Sequence, residues 1–169
     1  MDVNHALDEA QMMEEVERQY QSARALVDRF GLAIPCFPGG ADLPPVVFTI
    51  GGAAQGEPDL VAFGLPARIA QGLLNSAFQA LRGTWPHQEN KRISGAIDGF
   101  AIGVRDVSQS NVLQHTMFLT AVFNARRGHA QTPIVQILWP DKNGLLPFER
   151  GCDPATARIQ RIVEPDKGR

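Results

Sequence analysis

A chain of 169 residues, 44% hydrophobic and 20% charged, has the size of one domain and enough apolar surface to bury a core without a disulfide or structural metal. Sixteen Lys and Arg against eighteen Asp and Glu leave a net charge of −2, which argues against nonspecific nucleic-acid binding, since that needs a basic excess. Two cysteines, Cys36 and Cys152, are too few for a disulfide-built secreted domain.

Both thiols are therefore expected to be reduced, in a cytoplasmic protein. The acidic stretch from Met1 to Glu17 does not read as a signal peptide. No segment offers the roughly 18 apolar residues that span a bilayer, so no membrane association is expected.

In chain order, the first element is a helix from Asp8 to Phe30. Met13, Val16, Tyr20, Ala23, Val27 and Phe30 recur at steps of three and four, which places them on one stripe. Acidic residues lead it, Arg24 and Arg29 close it, and Gly31 is placed to end it. Two readings of the stripe are open: it packs on the domain's own sheet, or it pairs with a second copy, because alternating three-four spacing is also a coiled-coil seam.

Leu32–Phe37 reads as a short strand that Pro35 confines to a sheet edge. Val46–Ile50 is β-branched and apolar, hence a buried strand. The glycine-rich link 51–58 joins it to a strand at Leu60–Phe63, and so short a link favours an antiparallel hairpin. Pro66 then opens a helix. Its apolar face is Ile69, Ala70, Leu73, Leu74, Ala77, Phe78 and Leu81, and Gly83 closes it.

A polar loop, Trp85–Arg92, leads into two strands, Ile93–Asp98 and Phe100–Val107, joined at the tight-turn dipeptide Asp98-Gly99. Asn111–Arg127 reads as a third helix. Thr132–Trp139, with Ile134, Val135, Ile137 and Leu138 nearly continuous, reads as the most buried strand. Asp153 and Pro154 have the cap and first-turn pattern of a short terminal helix.

Strands in consecutive pairs between helices indicate an α+β fold: a mainly antiparallel sheet of about five to seven strands packed with two or three helices. The expected organisation is a first helix over 1–31, a candidate oligomerisation element, one α+β domain over 32–153, and a tail over 154–169.

Several stretches also follow one pattern: Phe30-Gly31-Leu32, Phe48-Thr49-Ile50-Gly51, Glu57-Pro58-Asp59-Leu60-Val61, Phe63-Gly64-Leu65-Pro66 and Leu73-Leu74-Asn75. The most specific is Gln136-Ile137-Leu138-Trp139-Pro140-Asp141, continued by Gly144 and Pro147. Taken together the chain resembles the bacterial family catalogued as domain of unknown function 4262 over about Phe30 to Asp153. The chain departs from that pattern at Gly52, where members have leucine, at Glu57-Pro58, where they have His-Pro, and at Phe148, where Trp is common. The resemblance implies a fold and a bacterial origin. It implies no activity, and the missing histidine removes any histidine-based chemistry at that place.

Candidate site residues each compete with a structural role. The loop 51–56 with Thr49, Gly51 and Gly52 is a candidate phosphate or ligand contact through backbone N–H groups, but no Gly-Lys-Ser/Thr follows. Asp141, after Trp139-Pro140, is a candidate carboxylate at a site mouth and equally a turn former, while Trp139 itself is a candidate pocket wall. Arg126, at a helix C-terminus with Arg127 and His129, is a candidate anion contact. Of four histidines, His87 in a polar loop and His115 on a helix face join Asp141 as candidate catalytic groups.

No metal-ligand spacing and no nucleophile elbow occur. Neither a metal nor a cofactor is expected. The leading expectation is therefore a non-enzymatic binding or accessory module, paired with itself through the first helix. The alternatives are an enzyme or sensor holding flavin mononucleotide or a nucleotide, and a toxin or immunity factor of a mobile element.

Overall fold

The structure, a computed structural model, describes residues 3–42, 44–86, 90–107, 118–130 and 133–161. Chain order runs α1 (Val3–Phe30), β1 (Cys36–Phe37), β2 (Val46–Phe48), a 3-10 turn (Ala53–Gln55), β3 (Asp59–Phe63) and α2 (Ala67–Leu81). It continues β4 (Arg92–Ile97), β5 (Phe100–Asp106), α3 (Phe118–Arg126), β6 (Ile134–Leu138) and α4 (Pro154–Ile159). This is the expected α+β fold: one six-stranded sheet in the order β1-β2-β3-β6-β5-β4.

All neighbours are antiparallel except β3 and β6, which run parallel with Asp59 opposite Ile134 and Val61 opposite Gln136. A parallel pair needs a long crossover. Here it contains α2, the β4–β5 hairpin and α3. The hairpin turns at Asp98-Gly99, as the sequence indicates, with Ile97 opposite Phe100.

Alternation along each strand divides the core between the two sheet faces. Phe48, Val61 and Phe63 point to one face, where Tyr20, Ala23 and Val27 of α1 and Leu119 and Phe123 of α3 cover them. Val47, Leu60, Ala62, Ile102, Val104, Val135 and Ile137 point to the other, under Leu73, Leu74, Ala77, Phe78 and Leu81 of α2. Fully burying a side chain such as Phe48 or Phe123 contributes about 1.5–3 kcal/mol.

The middle of the α1 stripe thus packs on the domain's own sheet. Met13 and Phe30, at 65% and 64% exposure, do not. The helix begins at Val3 rather than Asp8. Ile69, counted in the core face of α2, is 59% exposed. The expected edge strand Leu32–Phe37 shrinks to Cys36–Phe37, with Ala33 making a lone bridge to Ile50, because Pro35 has no N–H to continue the ladder. The link 51–58 contains a 3-10 turn that the sequence did not suggest.

The α4 cap is as expected: Asp153 accepts from the Thr156 N–H at 3.0 Å, with Pro154 in the first turn. The front of the third helix, 111–117, lies outside the described residues, as do His87 and His115. No helix among the described residues is long and apolar enough to cross a membrane.

Candidate functional site

The sequence candidates fall into separate places. Thr49 is fully buried; its hydroxyl donates to Asp59 Oδ1 at 2.8 Å and accepts from the Leu60 N–H at 2.8 Å. The Gly52 N–H donates to the same Asp59 oxygen at 3.0 Å. A Cβ on Gly52 would lie 2.7 Å from Glu57 O, and one on Gly51, whose φ is +121°, 2.7 Å from Gly31 O. Glycine at both positions is therefore required by close backbone approach, with no ligand needed to explain it.

Asp59 organises this turn. It is fully buried, and its Oδ2 has no hydrogen-bond partner. Burial pushes its carboxyl up to about 6, only partly opposed by the bonds from Gly52 and Thr49. Apart from its place in Glu57-Pro58-Asp59, no sequence feature singles it out.

Trp139 and Asp141 sit at the other end of the strands. The Trp139 indole N–H donates to Phe63 O at 3.0 Å, at the end of β3, whereas Thr49 bonds Leu60 near its start. Four residue steps along the strand, roughly 13 Å at about 3.3 Å per step, separate Asp59 from Phe63. The Gly-rich loop and the Trp-Pro-Asp segment therefore share no cleft.

Asp141 is buried and its carboxylate is spent on backbone. Oδ1 accepts from Asn143 N–H at 2.8 Å and Leu145 N–H at 3.0 Å, and Oδ2 from Asp153 N–H at 2.9 Å. These bonds, that from Asp153 foremost, hold its carboxyl below the usual range. Arg126 is equally committed: its guanidinium meets Glu17 at 2.5 Å and lies 4.5 Å above the Tyr20 ring, tying α3 to α1.

What the structure assembles instead is a groove of about 520 Å³ on the α2 face of the sheet. One wall is the start of α2, where Arg68, Ile69, Gly72, Leu73 and Ser76 follow the helical repeat and share a face. Ala96, Ile97 and Phe100 of the hairpin form the opposite wall, and Trp139 to Lys142 close one end. Ile69 and Phe100 are exposed, at 59% and 41%, and both line this groove. The hairpin is fixed to the 141–149 loop by Arg92, which pairs with Glu149 and donates to Gly144 O at 3.0 Å.

Of the sequence candidates, Trp139 and Asp141 belong to the groove. Arg68, Ile69, Gly72 and Phe100 were missed. The available signal was Gly72, a glycine inside a helical pattern with no turn to explain it. Among the described residues no group of three or more His, Cys, Asp or Glu is placed to hold a metal.

No curated protein and no solved structure matches the chain. A family model described as "Domain of unknown function (DUF4262)" matches residues 26–153, from the last turn of α1 to the cap of α4. That is most of the chain, and the protein belongs to this family.

Proposed function

We propose that the protein is a binding module whose site is the groove between α2 and the β4–β5 hairpin, and that its ligand is a small molecule with a flat, mostly apolar body. The observation that carries this is the pair of exposed apolar side chains Ile69 and Phe100 facing one concavity beside Trp139. Ligand sites are typically concave, apolar and of this volume, with a few polar groups at the rim. A binding role is favoured over catalysis because Asp141, the carboxylate in the lining, and the Trp139 indole N–H are already consumed by internal hydrogen bonds.

Thermal melting with a panel of small aromatic compounds, including flavin mononucleotide and nucleotides, tests this reading, since a ligand that prefers the folded state raises the midpoint. Stabilisation by at least one compound, abolished in Gly72→Trp, supports it. Identical responses of both proteins to every compound refute the groove as the site.

A second reading concerns self-association. Met12, Met13, Leu26 and Phe30 are exposed along α1, and most of that helix precedes the family match. Removing the helix is not a clean test, because Tyr20, Ala23 and Val27 belong to the core. Light scattering on full-length protein and on Met12→Glu/Met13→Glu is. A dimer that dissociates in the variant supports pairing; a monomer in both removes it.

A further inference from the structure

We infer that the groove selects ligands that carry an anionic group, a carboxylate or a phosphate, on the apolar body; this rests on the groove being the binding site proposed above. Two observations point there. The first is charge. Arg18, Arg24, Arg82, Arg92, Arg126 and Arg127 all have side-chain partners. The side chains of Arg68 and Lys142 have no hydrogen bond or ion pair among the described residues; those of Lys91, Arg150, Arg158 and Arg161 are likewise unpaired, but of these cations Arg68, from α2, and Lys142, from the loop after β6, are the ones that line the groove.

Among the described residues of the lining the one opposing charge is Asp141, and three backbone N–H groups already hold that carboxylate. The rim therefore presents two unpaired cations against one carboxylate, which keeps its charge but has its oxygens occupied by backbone N–H groups. A guanidinium is suited to bidentate contact with a carboxylate or phosphate, and an ammonium adds a mobile point charge.

The second observation is Gly72. It lies one helical turn after Arg68, inside α2, with ordinary backbone geometry. A Cβ built there meets nothing within 4 Å. Neither φ nor packing requires glycine, yet glycine inside a helix costs about 1 kcal/mol relative to alanine. Its effect is to leave open the stretch of wall beside the Arg68 side chain. A flat body can lie against that bare backbone while its anionic group reaches the guanidinium. A position that sacrifices stability with no structural return is the kind of site where binding sets the residue.

Isothermal titration calorimetry on the full chain tests this with three matched probes: 2-naphthoate, 2-naphthyl phosphate and the neutral 2-naphthamide. The expected result is binding of one or both anions about tenfold tighter than the amide. Which anion is preferred tells carboxylate from phosphate. In Arg68→Ala/Lys142→Ala the advantage disappears while the amide affinity is kept, and in wild type it shrinks with added salt. Gly72→Trp loses all three probes without losing thermal stability. If the amide binds as tightly as the anions, or the double variant keeps the anion preference, the inference is overturned and the groove remains. If no probe binds, or Gly72→Trp binds like wild type, both the inference and the groove are overturned.

Discussion

The Gln160 side chain pairs with the backbone of Trp139 on both sides: its Nε2 donates to Trp139 O at 2.7 Å and its Oε1 accepts from the Trp139 N–H at 2.8 Å. A carboxamide from the end of α4 thus continues the hydrogen bonding of β6 one residue past the strand. Gln136 adds to it, donating from within β6 to Gln160 O at 3.0 Å. The groove's end wall is therefore anchored by a helix that lies outside the family match.

Replacing Gln160 with alanine leaves both backbone groups of Trp139 without these partners. Each unsatisfied group costs about 1–3 kcal/mol where water cannot replace the bond, and Trp139 is half-buried, so a loss of about 2–3 kcal/mol is expected. Urea unfolding monitored by circular dichroism measures it. A change below about 0.5 kcal/mol would mean that the pairing contributes nothing beyond what water supplies.

Asp59 gives a pH dependence of defined sign. Its carboxyl titrates near 6 in the folded chain against an ordinary value of 3.8. The folded state holds the proton more tightly, so its contribution is full below about pH 4 and is lost as pH rises through about 6, a swing of roughly 3 kcal/mol. Asp59→Asn removes that swing. Urea midpoints of both proteins between pH 4 and 7.5 should diverge in favour of the variant as pH rises; parallel curves would show that Asp59 ionises normally.

Asp141 behaves in the opposite sense. Its folded carboxyl lies below 3.8 because three N–H groups stabilise the charge. That contribution is present above the ordinary carboxylate range and is lost as pH falls through it. In Asp141→Asn one acceptor oxygen is gone, and faster hydrogen exchange is expected at the amides of Leu145, Asn143 or Asp153. The stability gap to wild type should narrow on acidification. Unchanged exchange at all three amides would contradict the turn-organising role.

Gly72→Ala isolates the helix cost from the groove. With open space where the methyl would sit, the variant should be more stable by up to about 1 kcal/mol. A loss of stability in thermal or urea unfolding would show that Gly72 is needed for packing.

The sequence made legible those features that short-range physics sets alone. Asp98-Gly99 specified the β4–β5 turn, the run Ile134–Leu138 specified a strand buried on both faces, and Asp153-Pro154 specified the start of α4. The helices and the mixed α+β class followed from periodicity. Pairing between distant segments did not. Nothing local in Asp59–Phe63 says that it will run parallel to Ile134–Leu138, and that pairing is what puts the Gly-rich loop and the Trp-Pro-Asp turn at opposite ends of the sheet.

The groove was hidden for the same reason. Ile69 fits the apolar repeat of α2, so periodicity alone assigns it to the core; only the position of the hairpin leaves it facing a cavity. Asp59 reads as a polar residue before a strand, and its burial depends on the fold of the 51–58 link above it.

The groove between α2 and the hairpin is the proposed binding site. Its most direct test is a backbone amide NMR titration of the full chain with 2-naphthoate. Shifts are expected in Leu65–Ser76, Ala96–Phe100 and Trp139–Lys142 alone, with Thr49–Gly52 and the Arg126 region silent. Shifts centred on the Gly-rich loop or on α1, or none at saturating probe, would contradict it.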